Sequence, residues 1–402
     1  EAFMSTVKPD NAILTKKPLV KKAISVETLV FLILFLGFWC VIGSKMGAVN
    51  LISTLMNTAY DLLISTVFKI MAISVVAGAI AELLNEFGVT SLLNRILSPL
   101  IKPVYDLPGA SVVGIFACFF SDNPAILTLA DNEAFKRYFK KYQVPPLTNI
   151  GTSFGMGLII IAFMVGVKSP IGESFVPAAA IGFVGAVIGS IVSTRLMAHY
   201  TKRKFGAAEP AVAVEVRCDD FDLVHERVIR EGGVGARILS SLLEGGKSGV
   251  KIGLDIIPGV LIICSVVMLL TFSEPSGGYS GSAYEGVALL PWIGKKLSFL
   301  LTPLFGFSSA ESLSVPIMSL GAAGAAIAVV PRLVSEGLAY ANDIAVFTAI
   351  CMCWSGYLST HIAMLEGLGF RELSGRSILY HTIGGVVAGI SANWLFRLVM
   401  LL

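Results

Sequence analysis

Between residues 107 and 131 the chain reads LPGASVVGIFACFFSDNPAILTLAD, apolar enough for a membrane except where Ser121, Asp122, Asn123 and Pro124 interrupt it. A hydroxyl, a carboxylate and an amide beside a helix break are the donors of a site for a cation or a substrate amine. Pro124 lacks a backbone N–H and disfavours helical geometry at Asn123, so carbonyls near the break lose their partners in a solvent that cannot replace them. Such a break survives where protein or water lines it, and broken, polar-centred segments mark substrate and ion sites in secondary transporters. The plainer reading is a kinked helix with a buried polar patch. Asp122 is the residue expected to bind the coupling cation or substrate amine, because a carboxylate at membrane depth needs a counter-charge or a proton. Lys69, within another apolar run, is its alternative partner in a structural ion pair.

Two hundred residues on, Ser308-Ser309-Ala310-Glu311-Ser312 opens a second interrupted apolar stretch, GFSSAESLSVPIMSLGAAGAAIAVVP. Ser309, Glu311 and Ser312 are candidate ligands there, whereas Ala322 stands where the first stretch has Asp122. Glu311 is equally suited to cap a helix N-terminus. Behind the two stretches, PLTNIGTSFGMG contributes Asn149, Thr152 and Ser153, and CWSGYLSTH contributes Ser355, Tyr357, Thr360 and His361. An aromatic ring with hydroxyls at helical spacing can cradle a small polar ring or an amino group, although helix-to-helix hydrogen bonding is the ordinary use of such residues. His361 is a candidate proton relay near neutral pH, against a structural role near a helix end.

The remaining motifs argue against an enzyme. Four histidines without metal-ligand spacing supply neither a metal cluster nor a nucleophile–base pair. EGGKSG at 244–249 mimics the end of a phosphate loop but lacks its first glycine. The acidic run Asp219-Asp220-Phe221-Asp222 lacks the glycine turn of a calcium loop, and Cys351 and Cys353 point apart on a helix. No metal and no cofactor is implied beyond a coupling cation, Na+ or H+.

These residues need elements to hold them. Hydrophobic residues make up 55% of the 402 positions and charged ones 14%, with a mean hydropathy of +0.81, which excludes a soluble globular chain. A net charge of +3 does not point to nucleic acid. Four of the six cysteines, Cys40, Cys118, Cys264 and Cys351, lie in apolar runs and Cys353 beside the last, so no disulfide framework is implied. Nothing at the start resembles a cleavable signal peptide.

Lys16, Lys17, Lys21 and Lys22 precede the first apolar run, 25–43, and place a cytoplasmic N-terminal segment at 1–24. Further spans are expected at 60–84, 145–167, 173–197, 250–272, 343–365 and 378–402. Re-entrant hairpins are expected at about 92–131 and 290–331. Lys136, Arg137, Lys140, Lys141 and the TKRK run at 201–204 mark the cytoplasm, as does the polar segment 199–249, read as a cytoplasmic linker between membrane halves 25–198 and 250–402.

Residues 200 apart match along a long track: Leu100 with Leu300, Pro103 with Pro303, Ala110 with Ala310, Thr148 with Thr348, Leu158 with Leu358, Gly185 with Gly385 and Gly189 with Gly389. Lys69-Ile70 matches Lys251-Ile252 at a shorter offset, the difference being about the length of the Gly/Ser-rich loop EPSGGYSGSAYEG. Because the linker keeps the chain on one side, the second half enters the membrane in the opposite sense. The fold class expected is an all-α polytopic membrane protein, an inverted structural repeat with two re-entrant hairpins of opposite orientation.

A span, then PLFGFSSAESLSVPIMSLGAAGAAIAVVP, then a small-residue-rich span resembles the nucleoside-recognition or Gate domain membrane proteins. Those include the spore-maturation pair and the membrane domains of ferrous-iron transporters, and their name comes from the gates of concentrative nucleoside transporters. This chain looks like both halves fused, over roughly 60–396 without the linker. The resemblance implies a fold and names no cargo.

With the residues, it leads to the expectation of a secondary-active transporter in the lipid bilayer, by expectation a bacterial cytoplasmic membrane. Its partner would be a small polar organic solute of nucleoside, amino-acid or peptide type, coupled to Na+ or H+, with alternating access about a midplane site. No nucleic acid is involved, and a homo-oligomer is compatible. The alternatives are a non-transporting scaffold or gate subunit serving a partner, and a metal-ion or lipid-carrier transporter.

Overall fold

The computed structural model describes residues 22–123, 125, 126, 136, 138–212, 229–255 and 257–401. Among these there is no β-strand, and an isolated bridge pairs Lys140 with Pro210. The chain is an all-α integral membrane protein, and its described residues include six helical stretches long and apolar enough to cross a bilayer.

α1, Val26–Met46, is 21 almost wholly apolar residues and is the outermost element, with only Ile42 and Met46 buried. α2 runs unbroken in direction over Ala48–Glu86, 39 residues, and so begins well before the span expected at 60. Its middle is loosened into a π-helical turn at Leu62–Val67, a distortion frequent at functional sites.

α3, Val89–Tyr105, is amphipathic: Asn94, Ile101 and Tyr105 face inward while Leu92, Ile96 and Leu100 are exposed. α4, Ser111–Phe120, ends where Ser121 and Asn123 unwind the chain. Next come the short helices α5, Pro146–Ser153, and α6, Gly157–Val165, and then the long α7, Val176–Phe205.

The second half opens with α8, Val234–Asp255, then a π-helical turn at Val260–Cys264 and α9, Ser265–Thr271. α8 starts inside the segment 199–249 expected to be linker, because its glycines have a partner to pack on. α2 and α8 run antiparallel, and a Cβ on Gly245 would lie 2.2 Å from the Gly78 carbonyl oxygen, one on Gly249 2.3 Å from that of Ser74. The glycines of EGGKSG therefore serve a helix crossing and form no phosphate loop. The two π-turns face each other across this crossing.

α10, Leu289–Lys296, and α11, Ser298–Phe305, lead into a 3-10 turn at Glu311–Leu313 and α12, Ser314–Gly321. Ala322 is extended, and α13, Ala323–Ser335, packs back on α12. The turn between the two packed arms is thus at Ala322, and α10 and α11 precede the pair instead of forming its first arm as the boundary at 290 implied. In the first half the corresponding second arm falls on 127–135, outside the described residues, as do Pro124, Arg137, Cys218 and the acidic run at 219–222. The chain closes with α14, Ala341–Cys353, α15, Tyr357–Gly367, and α16, Ser374–Met400.

Element boundaries recur 200 residues apart: α3 with α10–α11, α4 with the 311–321 arm, and the α5–α6 break at 154–156 with the α14–α15 break at 354–356. Left-handed backbones recur at the same spacing, at Gly88 and Ala288, Asp106 and Gly306, Met156 and Gly356. α7 and α16 cross antiparallel through their matched glycines: a Cβ on Gly185 would lie 2.8 Å from the Ala388 carbonyl oxygen, and one on Gly189 2.4 Å from that of Gly384.

Candidate functional site

Helical interruptions at 121–123, 154–156, 322 and 354–356 meet near the centre of the bundle, and glycines let them touch. A Cβ on Gly155 would sit 2.0 Å from Asn123 Oδ1, so the first unwound stretch rests directly on the α5–α6 break. In the second half the Gly356 N–H, in left-handed geometry, donates to the Ser319 carbonyl at 3.1 Å, seating the α12–α13 turn on the α14–α15 break.

Asn123 then ties the halves together. Its Nδ2 donates to the Ser355 carbonyl at 2.6 Å and lies 3.3 Å from Thr360 Oγ1. The side chain is 1% exposed, and Oδ1 has no hydrogen-bond partner among the described residues. A buried amide oxygen left unpaired costs free energy that a bound donor or cation would recover.

Asp122 is partly buried, and its Oδ1 accepts from the Asn123 N–H at 2.8 Å. Its expected alternative partner is elsewhere: the Lys69 ammonium is exposed on α2 and lies 5.5 Å from the centre of the Phe163 ring, with no ion pair to Asp122. Ser121 borders a cavity of about 390 Å³ between α2, α3, α4 and α8, which also takes in Glu82, Asn85 and Ser248.

Asn149, Tyr357 and His361 belong to a second group, a fully buried polar seam between α5, α7, α15 and α16. Asn149 Nδ2 donates to Ser193 Oγ at 2.9 Å and to the Ser377 carbonyl at 3.1 Å, while Ser377 Oγ donates to Asn149 Oδ1 at 2.8 Å. Ser193 Oγ lies 2.9 Å from His381 Nδ1, and His381 Nε2 donates to the Cys353 carbonyl. The Tyr357 hydroxyl is 2.7 Å from Thr382 Oγ1, and the His361 and His381 rings lie tilted at 45° with centroids 4.5 Å apart. Ser153 Oγ turns back to the Asn149 carbonyl at 2.9 Å, and Thr152 Oγ1 is buried without a partner among the described residues.

Ser309, Glu311 and Ser312 form a third group that the structure does not bring to the other two. Glu311 begins the 3-10 turn that starts the α12 arm, the far end of the arm from Ala322. Ser312 Oγ donates to Asp343 Oδ1 at 3.1 Å, as does the Ser308 N–H at 3.1 Å, and Ser308 Oγ donates to Asp343 Oδ2. Ser309 and Ser312 hydroxyls are 3.4 Å apart. Asp343 also accepts from the Tyr340 N–H at 3.0 Å and so caps α14. Ser312 thus sits at the Asp343 end of α14 and the 354–356 break at its other end, so Glu311 and Ser312 stand apart from the contacts that Asn123 makes.

No family model and no curated relative matches the chain. Two solved structures of CNTnw, a concentrative nucleoside transporter, do superimpose on it. The inward-facing, substrate-bound form gives a TM-score of 0.52 at 15% identity, over 80% of this chain and 73% of that one. A doubly substituted outward-facing form gives 0.51 at 14% identity, over 81% and 75%. This chain is similar in fold to CNTnw. The expected likeness to concentrative nucleoside transporters is met at that level, whereas no match supports the Gate domain family itself. At such identity the likeness to CNTnw carries the helix arrangement, and the side chains of the site rest on their own geometry.

Sequence reasoning missed Gly155, Ser193, Ser319, Gly356, Ser377 and His381. Ser377 and His381 stand four apart and so share a helix face, a signal that was legible. Gly356 falls 200 residues after Met156, which is left-handed too, and only the backbone reveals that pairing.

Proposed function

We propose that the protein is a secondary-active transporter of a small polar organic solute, of nucleoside, amino-acid or peptide type, working by alternating access about the convergence of the four helix interruptions. The observation that carries this reading is Asn123: it lies at an unwound point of the first half, is held by the second half's break through Ser355 and Thr360, and keeps an unpaired buried oxygen. Interrupted helices free backbone groups for ligands at a depth where water is scarce, which is how transporters build midplane sites.

The recurrence of boundaries 200 residues apart and the antiparallel crossing of α7 with α16 support an inverted pair of halves, with the two interrupted stretches approaching from opposite faces. The likeness of fold to CNTnw in both inward-facing and outward-facing forms supports the same reading. A cation, Na+ or H+, is proposed to couple through Asp122 and Asn123, with solute contacts from the 354–356 break and the first turn of α15.

The test is uptake into proteoliposomes of a panel of nucleosides, amino acids and dipeptides under imposed Na+ or H+ gradients. Gradient-dependent uptake of one class is expected, falling by roughly 10-fold in Asn123→Ala, which loses two hydrogen bonds between the halves while the fold is kept. Absence of gradient-dependent uptake for the whole panel would refute the proposal.

A further inference from the structure

His361 is fully buried, and its two ring nitrogens are unequal. Nδ1 lies 3.2 Å from the Tyr357 carbonyl oxygen, an acceptor, so Nδ1 carries the hydrogen. Nε2 is then a bare lone pair with no hydrogen-bond partner among the described residues. His381, whose ring centroid is 4.5 Å away, differs: its Nε2–H donates to the Cys353 carbonyl and its Nδ1 accepts from Ser193, so both its nitrogens are committed.

Among the described residues, the titratable side chains facing His361 are His381 on α16 and Tyr357 on its own helix. α5 and α12, which also pack on α15, carry no titratable residue at all. The charges of the connection from α15 to α16 are spent at its exposed end, where Arg371 pairs with Glu366 at 3.1 Å and Glu372 with Lys204 at 3.1 Å.

We infer that the Nε2 lone pair of His361 is a proton-binding site whose occupation opens the seam between α15 and α16. The proton comes from solvent and forms an N–H bond at Nε2. The ring becomes a cation with a second donor, and among the described residues the closed seam offers it neither an acceptor nor a carboxylate. A buried, unpaired charge is tolerated only where water or an acceptor can reach it, so the proton binds the opened arrangement more tightly and acid shifts the population toward it. Thr360 adjoins His361 on α15 and lies 3.3 Å from Asn123 Nδ2, so displacing α15 loosens Asn123. This last link, from proton to cargo, rests on reading the Asn123 convergence as the transport site; the protonation itself does not.

The chain has four histidines, few enough for selective ¹⁵N labelling in nanodiscs. Ring-nitrogen spectra from pH 8 to pH 5 should show His361 as the Nδ1–H tautomer at the alkaline end and doubly protonated at the acid end. Its signal is assigned by loss in His361→Gln or, should that variant not fold, by elimination using His199→Gln, His225→Gln and His381→Gln. Backbone hydrogen exchange over 354–366, corrected for intrinsic rates, should accelerate at least several-fold across the same range in the unaltered protein and not in His361→Gln. A His361 ring that stays in one neutral tautomer down to pH 5, or exchange that accelerates equally in His361→Gln, would overturn the inference. Titration without uptake of any solute would refute the transport reading and leave the proton site standing; uptake without titration would do the reverse.

Discussion

Asn123 and Gly155 form a contact that only a glycine permits. A methyl group at Gly155 would fall 2.0 Å from Asn123 Oδ1, so Gly155→Ala must push the amide away from Ser355 and Thr360. Initial uptake rates should fall by roughly 10-fold or more, as expected when buried hydrogen bonds are lost together. Asp122→Asn removes charge at nearly constant volume and should abolish cation dependence without changing thermal stability; unaltered uptake in Asp122→Asn would reduce the break to a kink.

Asn123 and Asp122 could be found in the sequence because polar residues stand out in an apolar run. Ser193, Ser377 and His381 could not be assigned partners, since their bonds join helices 28 to 229 residues apart in sequence. Glu311 was legible as a lone acidic residue in an apolar stretch, and the structure places it at an arm's start, the position its capping alternative calls for.

At the scale of elements, the close crossings depend on backbone-to-backbone approach. Gly245→Val, in the α2–α8 crossing, should cost about 1–3 kcal/mol or block folding, read by thermal unfolding of the purified protein, because a side chain there meets the Gly78 backbone, which cannot yield.

The Gly/Ser loop after α9 is fastened to α2 as well. Asn57 Nδ2 donates to the Gly281 carbonyl at 2.8 Å, and Glu285, 2% exposed, receives the Ser280 hydroxyl at 2.6 Å and the backbone N–H groups of Ser280 and Gly281. Burial pushes the Glu285 carboxyl up, but hydrogen bonds from Ser280, Gly281 and Ser282 outweigh it and hold it below the ordinary carboxylate value. A lowered value in the folded state means that its stabilisation is present above the unfolded value, about 4.3, and is lost as pH falls through the folded one. Melting temperature should therefore fall more steeply on acidification in the unaltered protein than in Glu285→Gln.

Helix periods and glycine spacing made the long elements legible. The π-turns left no mark, because they depend on how α2 meets the 260–264 turn and not on local propensity. The start of α8 was hidden by its polar outer face, which reads as linker until its glycines find α2.

For the whole molecule, the 200-residue recurrence was legible in side chains and extends to backbone conformation, including the three left-handed pairs. What the repeat could not reveal is how its halves differ. One stretch carries Asp122 and Asn123, the other Ala322 and Ala323, and the polar seam with its two histidines draws on both halves unequally.

Alternating access predicts that one central point is reached from each face in turn. The most direct measurement is the reactivity of Ser355→Cys, in a background without the native cysteines, toward a membrane-impermeant maleimide in right-side-out and inside-out vesicles. Labelling from both faces is predicted, with conditions that raise it on one face lowering it on the other. Labelling confined to one face under every pH and cation condition would contradict the account.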